Sequence, residues 1–556
     1  MIRTTLLLII LSTSYLLAQG ERTMGVMSID HEKVMDGYTL IYPDGNFNIY
    51  LINNCGEVVR QWETDKYRGG GCYLLEDGRL LVVQSDTLNQ NSAIQFGGVG
   101  DYVSIYDWNG NLEWRLRVSD ANERIHHDVA YDYETGNIFI LAAERLSEDD
   151  ALDAGRDPEK LWPEGLLSEK VMEVRPIGTD SAEVVWEWRV WDHLVQEHDD
   201  AMENYGVVAE NPQLIDLNYV EEDYDEDWIH ANAIEYNAEL DQILFSAREF
   251  DELWVIDHST TAEEVKGHEG GTFGKGGDLI YRWGNPIAYQ AGTSDDRAFF
   301  RQHNTNWLPA GASPTGEAIM TFNNGTGRGW SSVDVIHPER GIDGQYMMNE
   351  NGAYLPEAPI WSYSDNDDDP VKFYSSFISG CHMVDNRNIL ICSGAQGYLF
   401  EVTPEMEVVW EYILPISRGV PLFQGDTIPL DSRGRPNNRV FRAYKYATDY
   451  APFIGQDMSP VDPIEINPDI SFCTETSIEQ KLDSEDLSFF VNESVLSVTN
   501  KTNSTLDVKL VDIQGNQIYE GRIIPGDNTI ELNGLSPGVY FLSDLNGNTF
   551  KFMVNL

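Results

Sequence analysis

Four of the chain's eleven histidines stand at corresponding places in a recurring segment. His127 sits in HHDVAYDYETGNIFIL, His230 opens HANAIEYNAELDQILF, His303 opens HNTNWLPAGASPTGEAIM and His382 opens HMVDNRNILIC. Each histidine precedes an apolar run, a Gly/Asn/Asp turn and a second apolar run, so each sits at the start of a strand in a hairpin. A neutral imidazole, with an unperturbed pKa of about 6.5, is a competent nucleophile near neutral pH. Two arginines fit the same constellation: Arg328 in the Gly-rich turn FNNGTGRGWSS and Arg248 in FSAREFDELWVID. Their planar guanidinium forks match a tetrahedral oxyanion bidentately. A pocket of His and Arg is unexpected in a chain with 37 Lys+Arg against 92 Asp+Glu and a net charge of −55, and it implies an anionic ligand. The chemistry requires no metal and no cofactor. The acidic runs Asp365 to Asp369 and Glu221 to Asp227 lack the DxDxDG spacing of a calcium loop and read as solvated loops. His126 falls on the opposite strand face from His127, and His31, His193, His198, His258, His268 and His337 read as surface or loop residues.

The elements that must position these groups recur as well. A β-branched or apolar run leading into tryptophan appears six times, ending at or around Trp62, Trp114, Trp186, Trp283, Trp361 and Trp410. With the hairpins before them, six repeats of four strands predict an all-β fold: a six-bladed β-propeller, spanning residues 20–460, with a long insertion at about 145–228. The first strand of each blade would then line a central channel, and the four histidines would converge there. Tyr38 to Trp62 would form the first blade and Phe373 to Tyr412 the last, with RVFRAYKYA packed near the closure.

The charge balance excludes nucleic acid and anionic membranes as default partners, while 42% hydrophobic residues exclude disorder. Met1-Ile2-Arg3, the apolar run to Leu17 and Ala18-Gln19 read as a signal peptide over residues 1–19, and no later stretch is apolar enough for a membrane span. Cys381 and Cys392 flank the turn DNRN symmetrically; a cross-strand disulfide and two buried thiols are equally compatible with that placement. Residues 461–488 form a polar linker, and short strands from about Phe489 to Leu556 predict a small C-terminal β-sandwich.

DWIHANAIEY, FSAREFDELWVID, FFRQHNTNWL, FNNGTGRG, SGCHMVDNRNILICSGAQGYLFEVTPEMEVVWEY and NRVFRAYKYATDY occur in an order that resembles the bacterial arylsulfotransferases over residues 35–455. The resemblance implies a six-bladed propeller that moves a sulfuryl group from a phenolic sulfate ester to a phenol without PAPS. It implies His230, His303 and Arg328 as sulfate-binding residues and His382 as the histidine transiently sulfated; His127 and Arg248 are further substrate-binding candidates. The alternative is a non-catalytic exported propeller that binds sulfated or phenolic ligands. LSPGVYFL and TFKFMVNL resemble the C-terminal sorting domain of the Bacteroidetes type IX secretion system. That resemblance implies the type IX machinery as a partner, and secretion or display on the outer-membrane surface.

Overall fold

Runs such as LLVVQS and ELWVID, bounded by Gly, Asn and Asp turns, become strands buried on both faces, whereas SAEVVWEWR alternates exposed and covered positions. That contrast separates strands sandwiched between neighbouring sheets from strands at the periphery. The computed structural model describes residues 22–470 apart from 87–93, 164, 221–225, 310, 313–316 and 365–372. Beyond these it describes 473, 482–483, 487–492, 495–512, 516–532, 538–544 and 549–554. The signal peptide, the acidic run 365–369 and most of 221–227 lie outside the described residues.

The chain divides between Pro468 and Asp469. In the first unit, six antiparallel sheets of four or five strands follow one another. Their first strands are Tyr67–Leu74, Glu123–Tyr131, Ala231–Asn237, His303–Trp307, Gly380–Met383 and Val440–Ala447. Each lies against the next in that order, and Val440–Ala447 lies against Tyr67–Leu74. The chain ends are interleaved: Gly25–Ile29 pairs with Val408–Ile413, and Val440–Ala447 heads the sheet that continues through Gly37–Pro43, Asn48–Ile52 and Val58–Glu63.

The recurring tryptophan has a physical role. All six stand on the last strand of a repeat, and each indole N–H crosses to the start of, or the connection before, the last strand of the next sheet. Trp62 donates to Trp108 O at 2.8 Å, Trp114 to Ser181 O at 2.9 Å and Trp186 to Thr260 Oγ1 at 3.1 Å. Trp283 donates to Pro356 O at 2.6 Å, Trp361 to Pro404 O at 3.3 Å, and Trp410 returns to Asn54 O at 2.8 Å. A large ring fills the space between sheets while its N–H satisfies a carbonyl or hydroxyl oxygen of the next sheet.

Two placements follow from backbone pairing, and the first selects the free thiols from the two readings of Cys381 and Cys392. Cys392 is the register partner of Gly380 and Ile391 that of Cys381, so the two cysteines are one step out of register and face opposite sides of the sheet; both are free and buried. Residues 461–466 pack within the first unit, the Val461 N–H donating to Val58 O at 2.9 Å and the Ile466 N–H to Leu422 O at 2.8 Å. The second unit has strands from Leu482 onward in two four-stranded sheets. Leu496, Val498 and Ile530 of one sheet share a core with Val508, Leu510 and Leu542 of the other.

Candidate active site

A cavity of about 990 Å³ receives a residue from, or just before, every first strand: Arg68, His127 (midway along its strand), His230, His303, Ile378 and Arg439. Backbone geometry here is unusual. His127, His230, Arg301 and Ile378 hold φ values of 62°, 48°, 58° and 50°, in the left-handed region that non-glycine residues seldom adopt. Glycine makes room for His127. A Cβ on Gly70 would lie 1.8 Å from the His127 carbonyl oxygen, and one on Gly98 would lie 1.8 Å from its ring. The run Arg68-Gly69-Gly70-Gly71 is thus explained by the close approach of the neighbouring strand.

Three of the four histidines meet in this cavity. His127 Nε2 lies 3.3 Å from His230 Nε2, and the His127 and His303 ring centroids are 6.3 Å apart. His230 Nδ1 is 2.5 Å from Asp227 Oδ2. Asp227 therefore fixes the Nδ1–H tautomer and leaves Nε2 with its lone pair toward the cavity. His303 is held at both nitrogens: Nδ1 donates to Asn324 Oδ1 at 2.7 Å and Nε2 accepts the Ile378 N–H at 3.2 Å. Behind them His126 is fully buried, its Nδ1 2.6 Å from Glu169 Oε1. Burial is the first cause that holds the imidazoles of His127, His230 and His303 well below their ordinary value. Arg248, His126 and Arg301 add to it for His230. Burial likewise raises the carboxyls of Asp227 and Glu169.

The cations are Arg68, Arg248, Arg301, Arg433, Arg435 and Arg439. Arg248 and Arg301 share the single carboxylate of Glu249, Arg301 Nη2 lying 3.1 Å from Glu249 Oε2. Arg435 and Arg439 both pair with Asp431. Arg248 thus lines the same cavity as His127, His230 and His303. Arg328 does not line this cavity. Its Nε donates to Trp330 O at 3.0 Å and its Nη2 to Ser332 Oγ at 2.7 Å, and the guanidinium stacks 3.6 Å from the Trp330 ring centre.

His382 is the larger departure. It pairs with Leu390, three residues before the end of its partner strand at Ser393. Asn306 pairs with Met320 and Glu235 with Leu244, also three residues from their partners' ends, whereas His303 pairs with Phe322, one residue from the end. His382 is therefore level with Asn306 and Glu235 and lines a different cavity with them. At about 3.3 Å per residue, the register difference displaces it along the strands from the other three histidines. Its Nε2 accepts the Lys445 N–H at 3.0 Å. His193, expected at a surface or loop position, lies in a connection but is fully buried, with Nδ1 2.9 Å from Asp278 Oδ1, because the insertion after Arg189 folds back onto the next sheet.

Several residues escaped the sequence reading. Asp227 and Arg301 had a signal, lying three and two residues before His230 and His303. Glu169 and Arg442 had none. Arg442, 3% exposed, donates through Nη1 to Asp128 Oδ2 at 2.8 Å and through Nη2 to Asn232 O at 2.6 Å. Phe441 beside it stacks on the His127 ring at 5.0 Å. Ring nitrogens of His126, His127 and His230 lie close enough to share a metal ion, as do the donor atoms of His126, Glu169 and Asp227.

Residues 26–413 match the family model described as Arylsulfotransferase (ASST), and residues 492–555 match that of a secretion system C-terminal sorting domain. No curated protein matches the chain. Among solved structures, a protein of unknown function from Bacteroides caccae is 11% identical, with 74% of this chain and 98% of that one covered and a TM-score of 0.38. The periplasmic gluconolactonase PpgL of Pseudomonas aeruginosa is also 11% identical, with 89% and 98% covered and a TM-score of 0.33. A streptogramin B lyase is 9% identical, with 77% and 94% covered and a TM-score of 0.34.

Proposed function

The chain belongs to the arylsulfotransferase family, and on that footing we propose that it moves a sulfuryl group from an aryl sulfate ester to a phenol, without a nucleotide donor, in the cavity of His127, His230 and His303. Its C-terminal sorting domain directs type IX secretion, so the protein works at the outer-membrane surface. In this reading the six sheets are blades of one propeller, and the larger cavity is one end of its channel. The observation that carries the reading is the Asp227–His230 pair, whose Nε2 meets only His127 Nε2, at 3.3 Å, in an arginine-rimmed cavity of a chain of net charge −55.

The proposed reaction is two displacements at sulfur. His230 Nε2 attacks the sulfuryl group, an N–S bond forms, and the ester S–O bond breaks with its electron pair leaving on the phenolate. The phenolate takes a proton from solvent at the cavity mouth. The ring of sulfated His230 gains positive charge, which Asp227 accommodates at Nδ1. An acceptor phenol then gives its proton to solvent and attacks sulfur, the N–S bond breaks, and neutral His230 returns. Arg248 and Arg301 face the negative charge spread over the sulfuryl oxygens; such preorganised donors contribute about 3 kcal/mol each to the transition state.

The test is 4-nitrophenyl sulfate with and without phenol. Yellow 4-nitrophenol in catalytic amount only when phenol is present is expected; binding without release would favour the ligand-binding alternative. Asp227→Asn should lower kcat roughly 10²- to 10⁴-fold with KM little changed, because the wrong imidazole tautomer is then favoured while the substrate contacts remain. An equal loss in KM would assign Asp227 to binding instead.

The pH profile has a defined sign. A depressed pKa keeps an imidazole neutral, and so nucleophilic, down to a lower pH. As pH falls from 8 through 6.5, kcat/KM should stay flat, and it should drop only well below the ordinary imidazole range, where His230 becomes protonated. An acid limb centred at about 6.5 would contradict a buried, arginine-flanked nucleophile.

A further inference from the structure

The connection from Glu252–Asp257 to Leu279–Trp283 contains the glycine-rich run HEGGTFGKGGD, His268 to Asp278. Glycine lets this run fold back on itself. Gly276 holds a φ of 58°, and a Cβ there would lie 2.2 Å from the Gly267 carbonyl oxygen. The Gly277 N–H donates to Gly267 O and the Gly276 N–H to Gly270 O, both at 3.0 Å, so the ends of the run, His268 and Asp278, stand side by side. His193 arrives from the insertion after Arg189. Its ring stacks on Trp188, whose Nε1 donates to Gly277 O at 2.7 Å. A Cβ on Gly277 would lie 2.6 Å from His193 Nε2, so a side chain there would exclude the ring.

One carboxylate oxygen thereby meets two imidazoles. Asp278 Oδ1 is 2.9 Å from His193 Nδ1 and 2.7 Å from His268 Nδ1, and the donor atoms of the three residues all lie within 4.8 Å of one another. A zinc-sized ion about 2.1 Å from each donor would set tetrahedral ligands about 3.4 Å apart. The spacing has to open by roughly 0.5–0.7 Å for that, which the exposed His268 ring and a turn of the Asp278 carboxylate supply. The site also has an entrance. The His268 side chain is 58% exposed and lines a cavity of about 390 Å³ with Asp153, Asp192 and Glu203, and no lysine or arginine is among the described lining residues. Such a vestibule concentrates cations. Lys275 acts on Asp278 through space without pairing with it, and burial holds the lysine below its ordinary value.

We propose that His193, His268 and Asp278 form a binding site for a divalent metal of the zinc class, with water as the fourth ligand. Two imidazole nitrogens favour Zn²⁺ over Ca²⁺ and Mg²⁺, which take oxygen ligands. Each Nδ1 binds through its lone pair while the ring proton moves to Nε2. The ion ties the insertion after Arg189 to the glycine-rich run. None of the three residues lines the cavity of His127, His230 and His303, so the site is independent of sulfuryl transfer.

Calorimetric titration of the chelator-treated full chain with Zn²⁺ should show an ion whose affinity is unaltered by excess Ca²⁺ and Mg²⁺. Loss of an outer-shell partner already costs a metal site about 10- to 100-fold in affinity, so His268→Gln, at an exposed position, should weaken that ion by at least about tenfold. Anomalous scattering at the zinc edge, from crystals of native protein soaked in Zn²⁺, locates the ion without any variant. It should peak within bonding distance of His193 Nδ1, His268 Nδ1 and Asp278 Oδ1. The position separates this ion from one held by His126, Glu169 and Asp227 or by His126, His127 and His230. No calorimetric binding, no zinc peak at these three residues, unchanged zinc binding in folded His268→Gln, or displacement of the ion by Ca²⁺ would each overturn the proposal.

Discussion

His230→Asn is expected to lower sulfuryl transfer by at least about a thousandfold while the protein stays folded and still binds aryl sulfate. Asparagine keeps polarity and approximate size but has no lone pair that can attack sulfur. Intact-mass measurement after mixing wild type with aryl sulfate alone should show one added sulfuryl group, absent in His230→Asn. Peptide mapping should place that group on the segment carrying His230 rather than the one carrying His382. The geometry behind this is specific: Nδ1 is tied to Asp227 at 2.5 Å and Nε2 faces the cavity beside His127 at 3.3 Å. His230 Nε2 has only its 3.3 Å contact with His127 to give up, whereas His303 Nε2 would have to release the Ile378 N–H before it could react. A sulfuryl group on the His382 peptide, or turnover persisting in His230→Asn, would return the nucleophile to the smaller cavity or to His127.

Arg442→Ala should destabilise the first unit by about 3–5 kcal/mol, because it strands Asp128, 1% exposed, as an uncompensated buried charge. The guanidinium also holds the Asn232 carbonyl at 2.6 Å, so two neighbouring first strands lose a partner together. Urea unfolding monitored by tryptophan fluorescence would show a midpoint well below wild type. The double substitution Arg442→Leu with Asp128→Leu should recover much of the loss, since a buried ion pair replaced by apolar groups of similar volume is often close to neutral. A single-variant loss below about 1 kcal/mol would mean that water reaches Asp128 and that the two cavities communicate.

Much of this architecture follows from local pattern. Six apolar runs ending in tryptophan could be read directly, and the described residues of the first unit form six sheets of four or five strands with those tryptophans on the last strand of each repeat. The repeat phase of His127, His230 and His303 was also legible, and these three share one cavity. The sorting domain was carried by its own short strings at the chain end. Each of these signals depends only on side-chain period, turn residues and order along the chain, which a sequence states outright.

What depended on register, rotamer or long-range partners was decided by the fold. His382 opens its segment as His303 does, yet it is Ile378 that lines the cavity of the other histidines, and strand pairing shifts His382 into the second cavity. Period two cannot say how many residues precede the first pair of a strand. Cys381 and Cys392, symmetric about their turn, miss each other for the same reason. Arg328 lies in a Gly-rich turn beside the sheet that carries His303, but its long side chain finds Trp330 and Ser332 instead of the cavity, while Arg301 reaches it. Glu169 and Asp128 meet His126 and Arg442 across 43 and 314 residues, respectively. Charges so far apart in sequence become partners only when the sheets bring them together in a buried place where each needs the other.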